Sequence, residues 1–314
     1  MYVTEHLERS TNPLFSFEIV PPLRGRSARD ILDIVEHLMK YEPPFIDVTA
    51  HGAVAEYRED SEGTIHRRIH TKRPGTLSLC GIIQNRYNMD TVPHLLCRGF
   101  TREETEDAMI ELAFLGIHNV LAVRGDETNY QTPSGDGRTV NRYTQELVGQ
   151  LSDLRSGKYL GEIDNSDPMD LCIGVGAYPE KHVEAPSLKV DIARLKEKVE
   201  AGADYIVTQM FFDNQRFFEF ERRCREASIT VPIIPGLKVV NSVRQLQKLP
   251  KFFHISLPDD LVDEIMETPK QVKEIGVRWA TEQARGLLEH GVKCIHFFVV
   301  NDVKSVCATL DGLS

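Results

Sequence analysis

Among 314 residues there is one tryptophan, no C-x-x-C pair among six cysteines, and a deficit of basic side chains, 37 Lys and Arg against 47 Asp and Glu. The scattered cysteines (Cys80, Cys97, Cys172, Cys224, Cys294, Cys307) exclude a disulfide framework or a zinc knuckle. They fit reduced thiols acting as small hydrophobes in a cytoplasmic protein. No run approaches the ~18 consecutive apolar residues of a membrane-spanning helix. The opening Met1-Tyr2-Val3-Thr4-Glu5-His6 has no basic start followed by an apolar core, so no secretory signal is expected. A net charge of −10 argues against a general nucleic-acid-binding surface. Gly174-x-Gly176 is followed by Ala177-Tyr178-Pro179, so the dinucleotide fingerprint is missing, as is a P-loop. His66 and His70 stand four apart, but Arg67 and Arg68 lie between them and no acidic third ligand stands out, so no metal site is expected.

What is present is an ordinary globular balance, 41% hydrophobic and 27% charged. Short β-branched and aromatic runs recur at residues 14–20, 45–50, 91–97, 118–123, 171–177, 205–210, 231–236 and 293–299. Helical spacing lies between them: Ile31, Ile34, Val35 and Leu38 after Ser27, and Met109, Leu112, Ala113 and Leu115 after a capping box at Thr101-Arg102-Glu103-Glu104. Ile192, Leu195 and Val199 follow Ser187 and stop at Ala201-Gly202. Eight strands alternating with helices predict an α/β fold, a closed (β/α)8 TIM-type barrel forming one domain over residues 1–314. Leu77, Cys80, Ile83 and Tyr87 favour a helix over a strand. Residues 124–142 read as a long loop and residues 152–170 as a polar insertion. The Phe211-Phe212 and Phe217-Phe218 pairs read as core.

A barrel carries its chemistry at the carboxyl ends of its strands. Polar residues collect there: Glu18, Thr49 and His51, His94, Arg124-Gly125-Asp126, Tyr178 and Gln209. In Phe15-Ser16-Phe17-Glu18-Ile19-Val20 the carboxylate sits in an apolar run, which costs several kcal/mol unless it is paired, solvated or protonated. Two readings stay open, a general acid or a glutamate paired with an arginine at the rim. Arg124-Gly125-Asp126 is equally compatible with an ordinary turn.

Side by side, these segments resemble the methylenetetrahydrofolate reductase family, flavoenzymes that make 5-methyltetrahydrofolate. The matching stretches are Phe15-Ser16-Phe17-Glu18 with Pro21-Pro22, Asp47-Val48-Thr49, Pro93-His94-Leu95-Leu96-Cys97 and Ala122-Val123-Arg124-Gly125-Asp126. They continue with Ala177-Tyr178-Pro179-Glu180, Ala201-Gly202-Ala203-Asp204, Thr208-Gln209-Met210-Phe211-Phe212-Asp213, Ile233-Ile234-Pro235-Gly236 and His296-Phe297-Phe298. The resemblance implies a barrel that binds FAD without a Rossmann unit. Its cofactor contacts would be Thr49, His51, His94, Arg124, Gly125, Asp126, Tyr143, Tyr178, His182, Ala185, Asp191, Arg194 and Lys198. Arg124, His182 and Lys198 would meet the pyrophosphate, and Asp126 the pyrimidine end of the flavin, where protein charge tunes its electronics. Glu18 would be the general acid and Asp126 its catalytic companion. Gln209 would contact both substrates in turn and Gln245 the folate, although Gln245 also reads as a solvated helix position. The implied activity is reduction of 5,10-methylenetetrahydrofolate by NADH or NADPH, ping-pong through one shared site, in a homo-oligomer.

Two departures stand out. The family ends its last strand with His-Phe-Tyr-Thr-Leu-Asn-Arg, whose arginine contacts folate. Here the run is His296-Phe297-Phe298-Val299-Val300-Asn301-Asp302, with Asp302 at that position. Arg278 or Lys304 is a candidate replacement. Residues 56–75 look longer and more basic than usual, so Arg67, Arg68, Lys72 and Arg73 are further candidates for the acidic folate tail. No regulatory domain is expected. The competing readings are a flavin-independent pterin-binding one-carbon transferase and a non-catalytic folate-binding subunit.

Overall fold

The computed structural model describes residues 1–125, 129–133, 137–300 and 302–313, so Asp126 lies outside the described residues. The strands of the main sheet are β1 (Leu14–Ile19), β2 (Phe45–Val48), then, after a hairpin of β3 (Ala53–Glu59) and β4 (Ile65–Thr71), β5 (Asp90–Leu96) and β6 (Asn119–Val123). They continue with β7 (Cys172–Ala177), β8 (Tyr205–Met210), β9 (Ile233–Leu237) and β10 (Cys294–Val300). The order β1-β10-β9-β8-β7-β6-β5-β2 closes on itself with every pairing parallel. All eight expected strands are present, each within two residues of its anticipated limits, and the expected barrel is the observed one.

Helices α1 (Val3–Arg9), α2 (Arg29–Leu38), α3 (Thr76–Tyr87), α4 (Arg102–Phe114), α5 (Thr144–Arg155) and α6 (Leu188–Glu200) accompany the first strands. Helices α7 (Asn214–Glu226), α8 (Gln245–Phe253), α9 (Asp259–Glu267), α10 (Val272–Glu289) and α11 (Val303–Asp311) follow. Thr101 forms the expected capping box, its hydroxyl accepting from Glu104 N at 3.1 Å while its own N–H donates to Glu104 Oε2 at 2.8 Å. Ser187 caps α6, and Gly202, at φ +122°, follows its end. Residues 77–87 are helical, as their spacing indicates.

Three details differ from the sequence reading. Residues 152–155 of the supposed insertion belong to α5, and Arg155 anchors that end by donating to both oxygens of Asp204 at 2.9 and 3.1 Å. The charged segment after β2 is the antiparallel hairpin β3–β4, turned by Asp60, whose Oδ1 accepts from Glu62 N and Thr64 N at 2.9 and 3.0 Å. His66 and His70 therefore sit on a strand rather than a helix, and no group of metal-ligating side chains occurs among the described residues.

The interior decides which end of the barrel is open to chemistry. At the amino ends of the strands, Val3 and Leu7 of α1 pack on Phe45, Val92, Leu121, Tyr205, Val207 and Ile234. The Tyr205 ring lies where a side chain at position 174 would stand, which explains Gly174 without a nucleotide loop. Phe211 and Phe217 are fully buried and stacked at 5.4 Å, as core residues. With that end plugged, the polar residues gather at the other.

Candidate functional site

Glu18 and Gln209 both sit at breaks in strand register. On β1, Glu18 pairs with Phe298 but Ile19 pairs with Val300, so β10 bulges beside the glutamate. On β8, Val207 pairs with Ile234 and Met210 with Gly236, which places Gln209 in a second irregularity. Bulges bend a strand and re-aim a side chain, and are common next to active sites. Gln209 Oε1 accepts from Met210 N at 2.9 Å, and Thr208 Oγ1 accepts from Gly236 N at 2.9 Å, which fixes the second break.

Below Glu18 a file of polar groups descends into the barrel. His94 Nε2 lies 3.7 Å from Glu18 Oε2 and 3.4 Å from Asp47 Oδ2. Asp47 Oδ1 is 3.9 Å from His296 Nδ1, which is 2.9 Å from Ser16 Oγ. Asp47 and His296 are fully buried, while the Glu18 side chain keeps 15% of its surface exposed. Burial pushes His296 below the usual histidine range, against the pull of the Asp47 carboxylate. The neighbour of Glu18 in this file is a histidine, His94. His51, in the loop after β2, is pushed down to about 4 by burial, with Arg73 and His94 acting in the same direction. Thr49 Oγ1 and His51 Nδ1 are buried polar atoms without a hydrogen-bond partner among the described residues.

Across the mouth lies a cationic group. Arg124 and Arg98 converge on Glu184: Arg124 Nη2 donates to Glu184 Oε1 at 2.9 Å, and Arg98 Nη2 is 3.7 Å from it. The Arg124 hydrogen bond holds the Glu184 carboxyl below the usual range. The Arg124 guanidinium lies 5.7 Å from the Tyr143 ring centroid. His182, edge-on to Tyr178 at 4.7 Å, donates its backbone N–H to Asp191 Oδ2 at 2.8 Å. Lys198 donates to Gly176 O at 2.9 Å, and burial pushes its ammonium down against the pull of Asp191. Ala185 is buried, its N–H bonded to His182 O at 3.0 Å; Arg194 is exposed on α6 between Asp191 and Lys198; Gly125, at φ +91°, accepts at its carbonyl from Arg98. Arg124, Tyr143, Tyr178, His182, Asp191 and Lys198 therefore gather around the ends of β6 and β7.

Gln245 and Asp302 take local roles. Gln245 Oε1 accepts from Asn241 N at 2.8 Å at the start of α8. Asp302 is the N-cap of α11, accepting from Ser305 N at 3.2 Å and Ser305 Oγ at 2.6 Å, and from Asn241 Nδ2 at 2.7 Å. Burial opposes its charge, yet the bonds from Ser305 and Asn241 hold its carboxyl below the usual range. Of the basic residues offered for the folate tail, Arg73 donates to Pro21 O at 2.6 Å, Arg67 to Gln131 Oε1 at 2.8 Å, Arg278 is paired with Glu264, and Arg68 stands opposite Glu56 on the hairpin.

Sequence reasoning missed Lys238, just past β9. Its side chain is buried, and Nζ donates to Phe298 O at 2.8 Å and Val299 O at 3.3 Å, the carbonyls of the β10 bulge. Burial pushes it down to about 8, while Asp302 and Glu18 favour its charged form. A lysine flanked by Leu237 and Val239 carries the same signal as Glu18 in its own apolar run, and Asp47 in Phe45-Ile46-Asp47-Val48 is a third instance.

The model of the methylenetetrahydrofolate reductase family matches residues 3–314. The 5,10-methylenetetrahydrofolate reductase of Salmonella typhimurium is 30% identical over 301 residues, covering 94% of this chain and 90% of that protein. Methylenetetrahydrofolate reductase (NADH) 1 of Arabidopsis thaliana is 30% identical over 313 residues, 95% of this chain and 48% of the plant protein. The chain thus spans about half the length of the plant relatives it matches. Among solved structures, an uncharacterized Clostridium thermocellum protein that binds two copies of 5-methyl-5,6,7,8-tetrahydrofolic acid superposes with a TM-score of 0.60. At 14% identity over 98% of this chain and 96% of that one, it supports the barrel fold. Since the family model covers all but the first two residues, the chain belongs to the methylenetetrahydrofolate reductase family.

Proposed function

We propose that this chain reduces 5,10-methylenetetrahydrofolate to 5-methyltetrahydrofolate, with FAD as cofactor and NADH or NADPH as donor, the two substrates using one barrel mouth in turn. The observation that carries the reading is the pairing of a half-buried acid at a strand bulge with a separate cationic group at the same open end.

The residues present fit an FAD molecule. Thr49 Oγ1 and His51 Nδ1 are buried polar atoms with no hydrogen-bond partner among the described residues, which a bound cofactor would satisfy. Arg124, Arg98 and Lys198 supply the cations a pyrophosphate needs, with Glu184 engaging the arginines. Tyr143, Tyr178 and His182 offer flat faces beside them. When bound, FAD would supply the hydride chemistry between nicotinamide and folate. Arg124, His182 and Lys198 would hold its pyrophosphate, with Asp191 and the His182 backbone fixing that loop; Asp126 is assigned the pyrimidine end.

The protein's own part in the reduction is to handle a proton. Opening the five-membered ring of the folate requires a proton on the departing nitrogen, and Glu18 would be the acid that gives it. His94 orients the carboxyl from below, and Asp47 orients His94. Gln209, aimed by its own break in register, would bind nicotinamide and folate in succession. Purified protein tests the reading through its visible spectrum. Flavin absorbance that NADH or NADPH bleaches under anaerobic conditions, and that methylenetetrahydrofolate restores, supports it. Protein that stays colourless after adding FAD refutes it in favour of a flavin-free barrel.

A further inference from the structure

Lys238 has no part in the chemistry assigned so far, yet it occupies a costly position. Placing an ammonium in a buried setting carries a penalty that only specific partners offset. Its partners are the carbonyls of Phe298 and Val299, at 2.8 and 3.3 Å. Those carbonyls lie where β10 slips register against β1: Phe298 is paired with Glu18, and Val299 is the residue the slip leaves over. The next residue, Val300, has φ +55°, a left-handed conformation that a β-branched side chain adopts only under constraint. Phe297 pairs with Leu237, the last residue of β9, and Lys238 is the next residue beyond that pair. The ammonium thus ties down the irregularity that aims the acid, and brings a positive charge within electrostatic range of it.

We propose that Lys238 is a positioning residue for the acid of this site: it clamps the β10 bulge beside Glu18, and its charge sets the pH range over which Glu18 carries a proton. The proposal rests on the reading of Glu18 as proton donor. Its physical sense follows from the surrounding groups. On one side of Glu18 are His94 of β5 and, behind it, the buried Asp47 of β2, with His296 of β10 at 3.9 Å from Asp47. His51 interacts electrostatically with both His94 and Arg73. Asp302, at the head of α11, acts electrostatically on Lys238, and Lys273 of α10 on Asp302. A mostly buried carboxyl is favoured in its neutral form, and an ammonium in its vicinity favours release of the proton. An acid that must give up its proton near neutrality needs both.

Coupling between two titrating groups is reciprocal, so it can be read from the lysine without cofactor or substrate. Full-length protein labelled with 13C at lysine Cε is titrated by NMR, and the Lys238 signal is assigned by its loss in Lys238→Met. In Glu18→Gln and in Asp302→Asn the Lys238 midpoint should move down from that of the parent, because each substitution removes an anion that stabilises the ammonium. In Lys238→Met the alkaline limb of the folate half-reaction should move to higher pH, because Glu18 keeps its proton longer without the cation. A midpoint unchanged in Glu18→Gln overturns the proposal, even if Asp302→Asn shifts it, for Lys238 would then serve only the helix cap. A Lys238→Met profile of unchanged shape at a uniformly lower rate also overturns it, as the mark of a purely structural role. Should Lys238→Met fail to fold, the reading stands or falls on Glu18→Gln, with the lysine signal assigned by Lys238→Arg. The titration needs no flavin, so it separates failure of this coupling from failure of the reductase reading.

Discussion

Replacing Glu18 by Gln removes one proton and almost nothing else. The carboxamide has the same shape, keeps the 3.7 Å approach to His94, and leaves the β1–β10 bulge in place, so folding and cofactor binding should persist. The loss falls on protonation of the folate ring. A positioned general acid contributes roughly 10²–10⁴ in rate, about 3–5 kcal/mol of barrier. With 15% of the Glu18 side chain exposed, a water molecule from the mouth can substitute in part, which favours the lower half of that range. The assay is stopped-flow absorbance with the two half-reactions separated: bleaching by NADH or NADPH, then recovery on mixing with methylenetetrahydrofolate. The first rate should stay within a few-fold of the parent and the second should fall by about 10²–10³. Recovery at the parental rate would refute the general-acid assignment. Equal losses in both half-reactions would mean that Glu18 serves binding shared by the two substrates rather than proton transfer.

Other consequences follow from the same geometry. Asp302→Ala removes the cap of α11 and strands Asn241 Nδ2, so thermal or urea unfolding should register a loss of about 1–2 kcal/mol, with Asp302→Asn losing less; unchanged stability would contradict the capping role. Gly236→Ala places a methyl group against Thr208 O and the Phe298 ring, and because the first is backbone the second break in register must shift; a circular-dichroism melt should show marked destabilisation, and an unchanged melt would show that β8 and β9 yield more easily than their packing indicates. His51 is held neutral in the fold, its titration lowered to about 4 from 6.5, so the unfolded chain takes up its proton first and stability is lost as pH falls from about 6.5 towards 4. Urea midpoints between pH 7.5 and pH 5 should fall less steeply in His51→Asn than in the parent, and parallel curves would refute the assignment.

How much of this was legible beforehand depends on the range of each signal. The eight strands and the helices named from spacing were readable because an apolar run or a helical period is a property of ten or so neighbouring residues. The capping box at Thr101 is equally local. The hairpin β3–β4 was not readable, because most of its β4 residues are exposed, isoleucines among them, and a strand with two wet faces has no alternation of polarity to betray it. Helix α5 was hidden differently: its buried side, Leu147, Val148, Leu151 and Leu154, lies between two polar stretches that drew attention to themselves as a loop and an insertion.

The site divides along the same line. Glu18 announced itself as a carboxylate in an apolar run, and by that rule Asp47 and Lys238 should have been noticed as well. Their meaning could not have been, because it lies in pairings between strands distant in sequence. Lys238 is intelligible only once β10 is seen to slip against β1, and Asp47 only once His94 and His296 are seen to converge on it. Asp302 shows the opposite error. Set against the family ending, it looked like a binding residue with its charge reversed, whereas Asp302 followed three positions later by Ser305 is a local helix-start signal. An aspartate committed to that cap, to Asn241 and to the field around Lys238 leaves this position no part in holding an acidic folate tail. Of the candidate basic residues, Arg67, Arg73 and Arg278 are tied to Gln131, Pro21 and Glu264, so recruiting any of these three for the tail would mean breaking a contact it already makes.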